Sequence, residues 1–183
     1  MIRVRLGKLS DLPRLEIIER ETAPMFPPSA LPPELAEPLP EAVLAAGIAA
    51  SLLWVAQSAS AGVVGFVVCE RLASCLHIAE MDVRPSFSRK GIGTGLLLQA
   101  CASAKDFGLL FVTLTTFSHL PWNAPFYAKH GFAEVQSLEQ FPHLEAALRH
   151  ERDRGLENRI AMVKNALTLL SSDTLRTAAS ACR

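Results

Sequence analysis

The sequence predicts an α/β protein of the α+β kind, a mixed and mostly antiparallel sheet of six to seven strands flanked by helices. Three observations predict it. The chain opens on a short alternation of apolar and basic residues, Ile2 to Leu6, which reads as a half-buried strand. Three strand-like runs then follow one another (Leu52 to Gln57, Val63 to Glu70, Cys75 to Val83), the first two joined by a small-residue turn at Gly62 that suits an antiparallel hairpin. Finally, a Leu-rich helical stripe separates the third run from a continuous apolar and Thr-rich one, Leu109 to Phe117. A strand–helix–strand crossover of that kind makes its two strands parallel.

The remaining elements can be justified in order. Ser10 is expected as N-cap of a first helix, with Asp11 in its first turn and Leu12, Leu15, Ile18 and, at the margin, Ile17 as its stripe. Prolines recur between Pro24 and Pro40 too often for a regular element, so this stretch is read as an ordered, irregular loop. A short Ala-rich helix follows, Glu41 to Ala50. In the crossover helix Leu96, Leu97, Ala100, Cys101, Ala104 and Phe107 keep helical spacing, and Gly108 ends it. Leu109 to Phe117 reads as a central strand covered on both faces. A short helix is expected after Asn123, its N-cap, with Pro125 in the first turn, Gly131 past the end, and Trp122 and Tyr127 at the two positions of a hydrophobic staple. Phe132 to Val135 and Arg159 to Val163 are expected as antiparallel partners, with a charged helix from Leu144 to Arg154 between them. Residues 1–164 form one domain in this reading, and residues 165–183 an extension, either a helix or a frayed tail.

Composition narrows the function. Among 183 residues the 18 Lys and Arg balance the 18 Asp and Glu, and no block of like charge occurs, so a nucleic-acid face is not expected. Half of the residues are hydrophobic, but runs such as Leu109 to Leu114 are too short to span a bilayer, and no membrane partner is expected. Met1 to Arg5 shows no apolar segment of the signal-peptide type. Cys69, Cys75, Cys101 and Cys182 lack C-x-x-C spacing, and the five histidines lack H-x-x-x-H spacing. A reducing cytoplasm, with no disulfide and no metal, is the expectation.

The most informative segment runs from Met81 to Leu96. An apolar strand ends in a turn carrying Ser88, Arg89 and Lys90, then Gly91 and Gly93 lead into the crossover helix through Ile92 and Thr94. Glycines there let backbone N–H groups approach an anion, and a helix's first turn adds unpaired N–H groups and the positive end of its dipole. The segment is a phosphate cradle. It is not a P-loop, since no G-x-x-x-x-G-K-[ST] string exists. It is not the dinucleotide fingerprint either, because Leu96 stands where the third glycine belongs and the connector from Arg84 to Lys90 is too long.

What the segment resembles is the pyrophosphate loop of the GNAT superfamily of acyl-CoA-dependent N-acetyltransferases. That pattern is V-x-P-x-[YF], then [QR]-x-x-G-x-[GA], then a Leu-rich helix. Val83-x-Pro85, Phe87, Gly91 and Gly93 match it in register. Ser88 stands where Gln or Arg is usual, and Arg89 where Gly is usual. The resemblance covers residues 1–164 and is specific over 81–132. It implies the GNAT fold, with the pyrophosphate loop after the fourth strand, and acetyl-CoA as co-substrate. It also implies that Met81, Asp82 and Val83 offer backbone groups to the pantetheine arm. Ser88, Arg89, Lys90, Gly91, Ile92, Gly93 and Thr94 would hold the pyrophosphate, with Asn123 and Phe126 also on the cofactor.

Acetyl transfer from a thioester to an amine needs a deprotonated amine and a stabilised leaving thiolate. The superfamily motif N-x-x-[AG]-x-x-x-Y-x-x-x-G-F places its acid at Tyr127, the sole tyrosine here, with Gly131 and Phe132 matching. Leu120 stands at the motif's Asn and Asn123 at its small residue. For the base, Glu80 acting through water and His77 are both candidates, as is a water chain alone. The two lie on one strand at opposite parity, so they are expected on opposite sheet faces. His119 and Asn123 flank the acceptor side. The expectation is a cytoplasmic N-acetyltransferase using direct attack in a ternary complex on a small primary amine, framed by residues 24–40 and 136–158; a homodimer is compatible with it. Two alternatives stay open at this point: a non-catalytic acyl-CoA-binding or regulatory module, and an acetyltransferase of protein N-termini or lysines.

Overall fold

The computed structural model describes residues 1–167, so the extension expected from residue 165 lies almost wholly outside the described residues. Seven strands form one mixed, mostly antiparallel sheet with helices against it, as the order of elements predicts. The chain divides into two compact units, Met1–Glu70 with Ala79–Ala100, and Arg71–Ile78 with the chain from Cys101 onward. The fourth strand and the third helix each run from one unit into the other.

In the first unit β1 (Ile2–Leu6) pairs antiparallel with β2 (Leu53–Ser58), and β2 with β3 (Gly62–Leu72), which turns back into β4 (Cys75–Val83). Helices α1 (Leu12–Thr22) and α2 (Glu41–Ala49) supply Leu12, Leu15, Ile18 and Leu44 to a core shared with Leu53, Val55, Phe66 and Val68. Ile17 stays out of that stripe, 44% exposed. Ser10 is not the N-cap. A 3-10 turn, Leu9–Asp11, delays α1 to Leu12 and puts Asp11 at its start. The Asp11 carboxylate accepts the Lys8 N–H at 2.9 Å and both guanidinium nitrogens of Arg5, at 2.8 and 2.9 Å. Residues 24–40 are irregular as expected, with short 3-10 turns at Ala23–Met25 and Pro33–Leu35.

Gly65 is required by a close approach. A Cβ there would stand 2.8 Å from the carbonyl oxygen of Asp82 and 3.1 Å from Val83 Cγ2, so only a bare backbone lets β3 pass the end of β4. The Arg84 N–H donates to Val64 O at 3.0 Å beside it.

In the second unit β4 pairs parallel with β5 (Phe111–Phe117) through Cys75, Leu76 and His77. Along its whole length β5 pairs antiparallel with β7 (Arg159–Asn165), and β7 with the two-residue β6 (Ala133–Glu134), so that the order here is β4-β5-β7-β6. Helix α3 (Ile92–Asp106) ends as expected at Gly108, whose φ is +67°. Helix α4 (Ala124–Lys129) is closed by Gly131 at φ +86°. Helix α5 (Pro142–Asp153) buries Leu144 with Phe141 against Cys75, Phe111 and Ala161. All of β5 except Thr115 is buried, in keeping with its continuous apolar run.

Candidate active site

Between β4 and α3 the chain makes a 3-10 turn, Pro85–Phe87, and then bends sharply. Arg89 and Gly91 both take left-handed backbone conformations, with φ of 60° and 77°. The glycine usual at position 89 in the pattern is thereby explained, since the turn itself needs that conformation and Arg89 adopts it at a steric cost of about 1–2 kcal/mol. The Gly95 N–H donates to Gly91 O at 3.0 Å, so α3 winds from Gly91 and its first turn carries N–H groups that the helix itself does not satisfy. No atom lies within 4 Å of where a Gly91 Cβ would stand, so the loop is open at this point. The loop is braced by charge. Lys90 Nζ donates to Ser86 O at 2.9 Å and lies 4.9 Å from the Phe87 ring centroid, while Arg84 holds Glu21 of α1 at 2.6 and 3.0 Å. The Ser88 hydroxyl reaches Arg84 O at 3.4 Å. Both cations are exposed, but Lys90 anchors the loop's own backbone.

The end of β4 carries Glu80 and Asp82 beside α1. Glu80 Oε1 accepts the Met81 N–H at 3.1 Å. Met81, Asp82 and Val83 are half-buried. Ala79 packs against the core made by α1, and Asp82, an odd number of residues later, shares a hydrogen bond with Thr22 of the same helix. Strict alternation therefore breaks between them. Burial, and then the charges of Glu80 and Glu19, push the Asp82 carboxyl well above the usual range. The Thr22 hydroxyl donates to the Glu19 carbonyl at 3.0 Å, so its oxygen is left to receive the proton of a neutral Asp82.

Glu19 is the residue that sequence reasoning missed. It is 8% exposed, and burial pushes its carboxyl up to about 7 despite the Leu39 N–H donating to Oε1 at 2.9 Å. Its other oxygen, Oε2, is buried with no hydrogen-bond partner. The signal was there to be read: Leu12, Leu15, Glu19 and Thr22 fall on one apolar-facing stripe, with a carboxylate where a leucine would be ordinary.

The second unit holds the other expected residues. Tyr127 is buried on α4, its ring edge-to-face with Phe126 at 5.2 Å and with Phe132 at 5.7 Å. Asn123 stands at the start of α4, but its side chain does not cap the helix. Its Nδ2 donates instead to Thr116 Oγ1 on β5 at 3.0 Å, and its Oδ1 is buried without a partner. Phe126 also stacks near His130, and His119 is an exposed loop residue edge-on to Phe117. His77 is fixed by Thr113, whose hydroxyl lies 3.2 Å from its Nδ1 and 3.0 Å from His143 Nε2. Burial, then the neighbouring His143, pushes the His77 pKa down to about 4, so the imidazole is neutral at ordinary pH. Further along β5, Glu151 accepts Arg159 at 2.8 and 2.9 Å and the Thr115 hydroxyl at 2.6 Å. Among the described residues no group of three or more His, Cys, Asp or Glu side chains is arranged to hold a metal ion.

Comparison with known proteins bears on the same segments. The family model for the acetyltransferase (GNAT) domain matches residues 49–134, from before β2 through β6. Among solved structures, N-acetylglutamate synthase from Neisseria gonorrhoeae, complexed with coenzyme A and N-acetyl-glutamate, superposes with a TM-score of 0.70 at 18% identity over 91% of this chain; this chain spans only 35% of that one. The PaiA N-acetyltransferase from Thermoplasma acidophilum, in complex with coenzyme A, gives a TM-score of 0.67 at 21% identity, covering 90% of this chain and 99% of its own. The ribosomal-protein-S18-alanine N-acetyltransferase from Escherichia coli gives 0.66 at 15% identity, covering 94% and 98%. These likenesses establish a shared fold.

Proposed function

We propose, on the premise that residues 49–134 are a GNAT acetyltransferase domain, that the chain moves an acetyl group from acetyl-CoA to the primary amine of a small molecule. One observation carries the reading: a left-handed turn at Arg89 and Gly91 between the end of β4 and the start of α3. Such a turn leaves N–H groups facing outward for a pyrophosphate, and Arg89 adds charge. The backbone of Met81, Asp82 and Val83 receives the pantetheine arm, and Asn123 and Phe126 contribute on the side of α4.

In the reaction the amine nitrogen attacks the thioester carbonyl, the carbon–sulfur bond breaks, and an amide and CoA leave. The acceptor's ammonium must first lose a proton to become a nucleophilic amine, and that proton passes to Glu80 through water. The departing thiolate takes a proton from the Tyr127 hydroxyl, and the second proton that nitrogen sheds as the amide forms restores that hydroxyl. His77 is the weaker candidate for base, because its imidazole takes up a second proton only below about pH 4 and is already engaged with Thr113. That the partner structures in complex with coenzyme A share this fold supports the choice of cofactor.

Thermal unfolding with and without acetyl-CoA, with NAD as control, tests the cofactor. At 100 times Kd, ligand should add about 2.7 kcal/mol, which raises Tm by several degrees in a domain of this size. Glu80→Gln and Tyr127→Phe should then lower kcat about 100-fold or more without abolishing that shift. An unshifted Tm in a folded protein removes the reading.

A further inference from the structure

The cluster made by Glu19, Glu80 and Asp82 has more acidity than one proton acceptor requires. Glu19 and Thr22 stand one helical turn apart on α1, and Glu80 and Asp82 stand two residues apart on β4. Three arginines of this unit, Arg84, Arg20 and Arg5, bridge Glu21, Glu16 and Asp11. The groups that face Glu19 are Glu80, Glu16 and Arg20, and those that face Asp82 are Glu80, Glu19 and the neutral Thr22. Negative charge therefore outweighs positive charge around both.

One atom points to a ligand. Glu19 Oε2 is buried on a residue only 8% exposed and has no hydrogen-bond partner, an arrangement that normally costs about 1–3 kcal/mol. Its twin Oε1 is held by the Leu39 N–H, so the carboxyl group is oriented rather than loose. The three carboxylates are also not grouped like metal ligands, since among the described residues no set of three is arranged to hold an ion. A spread of acids suits an extended organic cation better than a point charge.

Resting on the acetyltransferase reading above, we propose that the acceptor is an aliphatic diamine or polyamine, one amine reacting beside Glu80 while a second, still an ammonium, is held by Glu19 and Asp82. The second ammonium supplies the hydrogen-bond donors that Glu19 Oε2 lacks. It also neutralises the cluster and draws both carboxyls towards their ionised forms, any protons displaced going to water. An anionic acceptor such as glutamate is disfavoured by the same charges. Covalently, the step is the one already written: the free amine forms the amide, the C–S bond breaks, and the bound ammonium is unchanged.

Thiol release from acetyl-CoA, measured with 1,4-diaminobutane, n-butylamine and glutamate, tests the assignment. The diamine is expected to exceed n-butylamine in kcat/KM by about ten-fold or more, and glutamate to be the poorest of the three. Glu19→Gln is expected to collapse the diamine-to-monoamine ratio, mainly through the diamine KM, and Asp82→Asn to do the same. Calorimetric titration of 1,4-diaminobutane into the CoA-saturated protein gives a readout independent of turnover: binding that weakens about ten-fold in Glu19→Gln is expected. Equal use of diamine and monoamine, or a diamine KM unmoved by Glu19→Gln, overturns the inference while leaving acetyl transfer intact. A failure of acetyl-CoA to bind overturns both.

Discussion

Two carboxylates, the half-buried Glu151 and the buried Glu19, are handled in opposite ways. Glu151 in the second unit is fully accompanied: Arg159 grips it twice, the Thr115 hydroxyl donates to it, and the guanidinium lies 4.5 Å from the Phe117 ring centroid. Glu19 in the first unit receives one backbone N–H and leaves its second oxygen bare. The difference teaches what each is for. A charge whose partners are all within the chain ties strand β7 to helix α5. One whose partner is missing keeps a place for something that is not part of the chain. The first arrangement is stable as it stands, whereas the second resists ionisation for want of a cation.

The largest test of that contrast is Arg159→Leu. Glu151 would then be left without its cation, which should cost about 3 kcal/mol, the low end for a buried pair because both side chains keep 16–17% exposure, read as a fall in the denaturant midpoint. A loss below about 1 kcal/mol would mean that the pair is a surface bridge and the contrast false. Next comes Glu19→Gln, with the opposite sign. An unfolded Glu ionises near 4.5 and the folded Glu19 near 7, so between these values the unfolded chain gives up a proton that the folded one keeps. Wild-type stability therefore falls as pH rises through this window and levels off above it. The variant should be equal to wild type at pH 4 and more stable at pH 8, by up to about 3 kcal/mol. A variant less stable at both values would show that the Glu19 charge is satisfied internally. The smallest effect concerns Arg89, an exposed cation that, among the described residues, forms no salt bridge. Arg89→Gly removes the left-handed strain and should stabilise the protein by about 0.5 kcal/mol, since glycine's greater freedom in the unfolded chain offsets part of the gain. Acetyl-CoA should nonetheless bind more weakly, and unchanged affinity would take Arg89 out of the cradle.

The parts legible in the sequence were those whose cause is local. Gly91, Gly108 and Gly131 mark turns that need a positive φ, and each sits where spacing puts it. The buried run of β5 and the stripe Leu96, Leu97, Ala100 and Ala104 likewise follow from periodicity, although Cys101 of the same expected stripe is only half-buried and Phe107, beyond the helix end, is exposed. What failed was competition between nearby partners. Ser10 has the right chemistry for a cap, but Arg5 and the Lys8 N–H recruit Asp11 and move the helix start. Asn123 has cap chemistry too, and Thr116 draws its side chain away. The acidic cluster was illegible for another reason. It joins α1 to the end of β4, as Arg84 and Glu21 do across 63 positions, and a chain whose charges sum to zero gives no hint of where they gather.

Gly65 carries a consequence for mutational tolerance. Its reason for being glycine is the Asp82 carbonyl oxygen, 2.8 Å from the space a side chain would need. In a saturation scan scored on growth or turnover, position 65 should look as sensitive as a catalytic residue while contributing no functional group. Its intolerance would extend even to alanine, the mildest replacement elsewhere in β3. A map of essential positions will therefore mark the backbone beside the reacting strand as well as the side chains that react, and only their size dependence will tell the two apart.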